Sequence, residues 1–582
     1  MAQVELTRRE WLLAAGALSS GCATRRSGPR GYPGGFQGPS PQRGHLLREG
    51  RGREGAVGDD PPVAVAILGG GAAGLSAAWA LSRAGVDDYV MLELEDQPGG
   101  TARGEVARSG GTTITRHPLG AHYLPVPSQS MRAVCTLLQE LGVLQGFDAA
   151  GRARCVEEHL CRAPQERVFY KGRWHEGLYL RAGASPDDLR QLDQYHEEVG
   201  RWVRARDGAG RRVFSVGEAP QGDRRAAGAA MLDGRTMAQH LDSLGLRSWR
   251  LRWLVDYGCR DDFGVNLGQT SAWAAIHYFA ARLMHPDDHP PEVLTWPEGN
   301  GFLVARLAEK IGAARVRGGC LVSDVRPAGS AVEVRYLRGA EAEPRRLRAR
   351  HVIFALPTFQ RRHLLAELRA APPKYLDAFT YAPWLVANLL LRRAVSPPVA
   401  GGMPVPGGPR PVPGYPTCWD NVLVESPGLG YVVATHQREA ALPSDGVPRT
   451  VFTYYRPLCG SYLESRVGSA VVDPRVERQR LLSADHVTLS AEVLQDLARA
   501  EPTLLEELER IDLCRWGHGM VRPVPGLMTG EALEKARAPL GAVHFAHSDL
   551  SGLALFEEAQ AAGVRAAQEV LAERGHPFES LL

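Results

Sequence analysis

Three glycines, one acid and a second glycine pair carry the chemistry of the stretch Val63 to Gly104. Gly69, Gly71 and Gly74 form a GxGxxG turn. The first permits a tight turn, the second lets a pyrophosphate approach the backbone, and the third lets a helix pack closely on a strand. Ala72 and Ala73 open a helix whose free N–H groups and positive dipole end would face phosphates. Glu93 follows at about the twenty-residue distance at which an acid accepts ribose hydroxyls. Gly99 and Gly100 would let a loop run close over a cofactor, with Thr101 beside it and Arg103 reaching a phosphate or ring system.

The flanking elements suit that chemistry. Val63 to Leu68 is a short apolar run of the kind buried in a parallel sheet. An Ala-rich helix is predicted from Ala72 to Ala84, capped by Gly85. Tyr89 to Leu92 is the next strand, with Glu93 at its end. A Gly-rich turn in an ordinary α/β unit would not explain an acid at that place. A dinucleotide site is therefore expected.

Further on stand Gly120, Ala121 and His122, followed by Tyr123-Leu124-Pro125. Thr295 to Gly301 leads into a predicted helix, Phe302 to Ile311. Val322, Val325, Val332 and Val334 alternate as strands do. His351 to Phe354 is another buried strand, ending in Ala355-Leu356-Pro357. Val543 to Asp549 is a strand ending in an acid, and a helix follows from about Leu555-Phe556 through Gly563 and Ala567.

In this order the motifs resemble the flavin amine oxidase superfamily, which also holds protoporphyrinogen oxidases and carotenoid-type desaturases. The match covers about 63–130, 292–360 and 510–575. The resemblance implies FAD rather than NAD at the fingerprint. It implies that Val322 offers its backbone to the adenine and that Asp549 serves the ribityl or pyrophosphate part, with Ser548 standing where Gly is usual. It also implies that the helix N-terminus at Phe556 faces the flavin N1–C2=O edge, where a positive dipole end stabilises the reduced ring. Many amine-oxidising members carry a Lys that holds a water at flavin N5. Val386 stands at about that position here, and Lys374 lies upstream in a Pro-Pro-Lys segment. No Cys lies in 515–582, so the FAD is expected to be bound without a covalent bond.

The implied fold is α/β: a Rossmann-like FAD-binding lobe with a second, mixed α+β substrate lobe formed by insertions. The FAD lobe takes 63–165, 291–365 and 510–582, and the substrate lobe 166–290 and 366–509. Candidate walls of the reacting pocket are Trp384, Tyr415, Trp419, Asp420, Asn421, His436, Trp516 and His518. Trp516 and His518 are the candidates for contact with the ring and the reaction. The substrate is expected to be a small molecule, an amine or an unsaturated apolar compound. Carbon–carbon desaturation or isomerisation, a structural FAD without turnover, and a nicotinamide dehydrogenase stay open as alternatives.

The chain has 582 residues, 44% hydrophobic and 23% charged, with a net charge of +3 that gives no basic footprint for nucleic acid. Its nine Cys form no CxxC and no metal-type Cys/His cluster, so no metal is expected. At the start, Thr7-Arg8-Arg9-Glu10-Trp11-Leu12-Leu13 resembles a twin-arginine export signal, which would carry a folded, FAD-loaded protein to the periplasm. Leu18 to Cys22 resembles a lipoprotein box with its Leu one place too far upstream, and lipidated Cys22 would tether the protein to a membrane. Residues 23–62, rich in Gly, Pro and Arg, are expected to be a disordered linker.

Overall fold

A computed structural model describes residues 31–55, 57–218, 221–283, 292–392, 415–436, 443, 445–463 and 472–582. The twin-arginine segment, Cys22 and the Pro/Gly-rich loop 401–414 lie outside the described residues. No helix among the described residues is long and apolar enough to cross a membrane.

The chain passes back and forth between two sheets. It starts with a short strand, β1 (Gly34–Gln37), then lays down β2 (Val63–Leu68), helix α1 (Ala72–Arg83) and β3 (Tyr89–Leu92). It crosses to a hairpin, β4 (Glu166–Tyr170) and β5 (Arg173–Glu176), and to a helical layer that includes α2 (Trp249–Phe263) and α3 (Ala272–Ala280). It returns through β6 (Val316–Arg317), β7 (Cys320–Ala328), β8 (Ala331–Arg338) and β9 (Glu343–Phe354). A second crossing builds β10 (Tyr381–Leu391), β11 (Asp420–Leu423), β12 (Gly430–Val433), β13 (Thr450–Pro457) and β14 (Leu508–Val521). The chain closes with β15 (Val543–Phe545) and helix α4 (Phe556–Glu573).

In the first sheet β6, β3, β2, β9 and β15 lie side by side and parallel, and β7 and β8 extend β9 as an antiparallel hairpin. Helices cover one face and a second apolar cluster fills the other. That is why β2 and β3 read as continuous apolar runs rather than alternating ones. Glycine sets the helix packing: a Cβ on Gly563 of α4 would sit 2.1 Å from the Ala73 carbonyl oxygen of α1, so the two backbones touch there.

The second sheet has eight strands in the order β1-β14-β10-β13-β12-β11-β4-β5. Two expectations are corrected here. Residues 508–521 belong to this sheet, through the antiparallel pairing of β14 with β10, and not to the nucleotide lobe. A strand's membership is fixed by its partner, which its own composition does not name. The linker expected to be disordered is also built into the fold from Gly31 onward. Here β1 pairs with β14, Ser40 N–H donates to Glu95 at 2.8 Å, and Arg43 pairs with Asp96 at 2.8 Å. Leu46 and Leu47 pack against Leu94, Leu321 and Leu337. Few apolar groups suffice because the segment borrows surface from both lobes.

Candidate active site

The parallel strands of the first sheet end along one edge, where open α/β sheets bind ligands. Glu93 ends β3, Gly69 ends β2, Ala355 to Thr358 follow β9, and Ala546 to Asp549 follow β15. Glu93 and Asp549 are three strands apart, roughly 14 Å at the usual strand spacing.

Gly69 turns the chain with φ +98°, a left-handed conformation that side chains resist. A Cβ on Gly74 would meet the Gly69 carbonyl oxygen at 2.0 Å, so α1 starts directly on the turn. Gly71 caps α1 with no side-chain acceptor for its first N–H groups. A Cβ on Gly71 would find only the Cα of Gly100 at 3.9 Å, and Gly99 N–H donates to the Gly70 carbonyl at 2.7 Å. The two glycine segments thus form one cradle. Glu93 accepts from Gly70 N–H at 2.6 Å and Glu95 N–H at 2.9 Å. Burial raises its pKa, and those two donors act the other way. Two bonds leave lone pairs for ribose hydroxyls. Cys320 N–H donates to the Glu93 carbonyl at 2.7 Å, which brings the bulge at Val322 to the same end of the edge.

At the other end, one Asp549 oxygen accepts from Thr358 N–H at 2.8 Å and Tyr381 hydroxyl at 2.6 Å; its other oxygen lies 3.0 Å from His547. Burial alone would raise this carboxyl, but His547, Tyr381 and Thr358 N–H bring it down to about 2. His518 stacks on Phe359 at 4.2 Å and meets Tyr381 edge-on, so it stands two side chains from Asp549. Burial, reinforced by Arg478 and Arg48, lowers it to about 3, and it is neutral at any ordinary pH. Phe556 is buried in the core, and what it offers the crevice is its N–H at the uncapped start of α4.

Between these ends, a Cβ on Gly120 would meet the Thr101 carbonyl oxygen at 2.3 Å. Trp516 donates to the Leu119 carbonyl at 2.7 Å and Tyr455 to the Gly120 carbonyl at 3.1 Å. The Ala121 carbonyl accepts from Asn300 N–H at 3.0 Å, and His122 sits edge-on to Tyr455 and Trp419. Burial holds His122 well below its ordinary pKa. A small cavity between the sheets is bordered by His122, Trp296, Trp419 and Thr453. A larger one, about 400 Å³, lies against α4 and is bordered by Arg224, Arg537, Ser551 and Arg565.

Beyond His122 the structure gathers around Asp420, one of the proposed walls, further acids that the sequence did not single out: Glu166, Asp261, Asp262 and Glu557. Asp420 accepts from the Tyr257 hydroxyl at 2.8 Å, and Asp261 lies 3.5 Å from the Tyr123 hydroxyl. Burial, with Glu166 nearby, raises Asp420 to about 7; burial, with Asp261 nearby, raises Glu166 to about 7. Asp261 is raised by burial and by Asp262 and Asp420. Arg282 pairs with Asp262 at 2.8 Å and also favours the charged form of Glu557 at the start of α4, which burial nonetheless raises to about 7. Five carboxyls and one guanidinium therefore run from the start of α4 into the second lobe. Of the proposed walls, Trp419, Asp420 and Trp516 belong to this region. Trp384 is buried between Trp516 and Gly264. Asn421 and Tyr415 instead hold Arg167 in a buried network with Glu501 and Tyr431, and His436 bonds the Arg162 carbonyl.

The fit to FAD can be tested on unmatched groups. Arg103 Nε, His122 Nε2 and Thr358 Oγ1 are buried polar atoms with no hydrogen-bond partner among the described residues. They belong to the segments that border the crevice, beside Gly99, Gly120 and Asp549, and FAD would offer them partners. The residues fit the group.

Residues 67–141 match the model of an NAD(P)-binding Rossmann-like domain. A redesigned triple mutant of putrescine oxidase superposes with TM-score 0.59 at 16% identity, over 88% of this chain and 99% of its own. The fold is that of the flavin amine oxidases. Cyclohexylamine oxidase from Brevibacterium oxydans IH-35A gives TM-score 0.55 at 17% identity, over 88% of this chain and all of its own. A curated relative, the FAD-dependent monooxygenase DEP2 of Fusarium langsethiae, is 34% identical over 140 residues. That match spans 23% of this chain and only a fifth of the relative's length.

Proposed function

We propose that this protein is an FAD-dependent oxidoreductase that removes a hydride from the carbon beside the nitrogen of a small amine. The observation that carries the reading is the crevice itself: a glycine cradle and an acid at one end, Asp549 and the start of α4 at the other, and a group of buried, mutually interacting carboxyls, Glu166, Asp261 and Asp420, beyond its middle. FAD, when bound, supplies the hydride acceptor. Gly71, Gly100, Glu93 and Arg103 would hold its nucleotide half, and Asp549 and the α4 N–H groups its other half.

The acids then decide the substrate's charge. Glu166, Asp261 and Asp420 repel one another when ionised, and a protonated amine between them would relieve that repulsion. An amine must lose its proton before its C–H becomes a good hydride donor. A carboxylate poised near 7, such as Asp420 beside Tyr257, is suited to take it. Trp419 and Tyr455 pack edge-on to His122 beside these acids and would shield them from water. The solved structure of wild-type putrescine oxidase, bound to putrescine, has the same fold at 16% identity and supports an amine as substrate.

A specific observation favours desaturation as a second reading. Val386, at the place of the family's Lys, is 1% exposed in an apolar cluster, while Lys374 is exposed elsewhere. Anaerobic mixing separates the two. The purified protein should be yellow and bleach with primary or secondary amines. Bleaching by polyenes alone would favour the second reading, and a colourless protein would end both. Export by the twin-arginine route, with a lipid tether at Cys22, is part of the proposal; cell fractionation of a Cys22→Ser variant tests it.

A further inference from the structure

The crevice uses one end of α4. At the other end, two histidines and two glutamates have no part in the reading above. His351 lies on β9 and His544 on the neighbouring β15, while Glu569 and Glu573 end α4. His544 is fully buried. Its Nδ1 lies 3.0 Å from Glu569 Oε2, and since a carboxylate accepts, this nitrogen donates. Nε2 is left with its lone pair. It makes no hydrogen bond, although Glu573 Oε2 is 3.3 Å away. His351 Nδ1 likewise makes no hydrogen bond, and lies 3.4 Å from the same oxygen. One atom from each of the three side chains lies within 4.8 Å of the other two.

These separations have a simple meaning. Ligands about 2.0–2.2 Å from a tetrahedral ion are about 3.3–3.6 Å from each other. The two nitrogen–oxygen distances fall in that range. A carboxylate that fixes the tautomer of a ligating histidine is the usual outer partner of such an ion, and Glu569 is itself braced by Arg565. Burial, with Glu573 opposing and His544, Arg574 and Arg350 assisting, lowers the pKa of His351. Glu573 is about half exposed, which leaves an entry path and room for a water as fourth ligand. The negative end of the α4 dipole points the same way. Two imidazoles and one carboxylate suit a divalent first-row ion better than Ca²⁺ or Mg²⁺.

We propose that His351, His544 and Glu573 bind one divalent transition-metal ion of the zinc class, with Glu569 orienting His544. The ion fastens the C-terminal helix to the edge of the parallel sheet.

Untagged full-length protein with its flavin retained is stripped with a chelator and titrated with Zn²⁺ alone, by calorimetry and by metal analysis after gel filtration. One equivalent should bind. His351→Ala and Glu573→Gln should each weaken binding at least tenfold, and Glu569→Gln by about 10–100-fold. Exposed His363, changed to Ala, should leave binding unchanged. Flavin content and circular dichroism report whether each variant folds, and Glu573→Gln, at the surface, keeps the test valid if His351→Ala does not. No saturable site in the parent protein, or parental affinity in folded Glu573→Gln, overturns the proposal.

Discussion

The two lobes do their work by different means. The nucleotide lobe acts through backbone: glycines that bring N–H groups and carbonyls close, and strand ends that line up two acids. The acid group beyond the crevice is built from side chains, five carboxyls and an arginine from five separate stretches of chain. The first arrangement tolerates almost no added atoms. The second tolerates substitution but is sensitive to pH. The lesson is that, under the proposed function, holding a cofactor and choosing a substrate are separately adjustable.

Substitutions should expose this contrast, and the largest effect belongs to the cradle. Gly74→Val would drive its Cβ into the Gly69 carbonyl. It should cost more than about 3 kcal/mol and leave a colourless protein, by urea unfolding and flavin absorbance. Next, Asp549→Ala strands the Thr358 N–H and Tyr381 hydroxyl without their acceptor. A loss of about 2–4 kcal/mol in the same unfolding measurement is expected; an unchanged midpoint would mean the carboxylate is not their anchor.

The buried carboxyls should respond differently. Glu166 and Asp420 have folded pKa values raised to about 7. Their contribution to stability is therefore fully present at pH below about 4 and lost as pH rises through about 7. Asp420→Asn should flatten that part of the stability–pH curve. It should also raise KM for a cationic amine about tenfold, equivalent to about 1.4 kcal/mol, with little change for a neutral substrate. Equal effects on both substrates would argue against an ammonium-binding role.

The smallest effect is expected at His518. Already neutral, it should lend no ionisation to the pH–rate profile. His518→Gln should cost about 0.5–1.5 kcal/mol through lost stacking on Phe359 and leave the profile's shape alone. A vanished limb in that profile would make His518 a proton carrier.

Legibility followed sequence distance. β2, α1 and β3 fall where the apolar runs and glycines put them, because a tight turn and a buried strand are enforced by neighbouring residues. The segment 31–62 was misread because composition alone ignores the surface it can borrow. Asn421 and Tyr415 looked like pocket walls and are held instead by Arg167, a partner more than two hundred residues away.

By itself, then, the sequence determined a dinucleotide cradle, the two acids that end its strands and the order of the elements between them. Those features are local, or repeat a short spacing that only a parallel sheet can satisfy. Tertiary structure alone decided that β14 joins the second lobe, that Glu166, Asp261 and Asp420 share one buried space, and that His351, His544 and Glu573 converge although no motif links them. Each of those depends on which distant strands and helices become neighbours, and that is fixed by the packing of whole apolar faces rather than by the few polar residues they bring together.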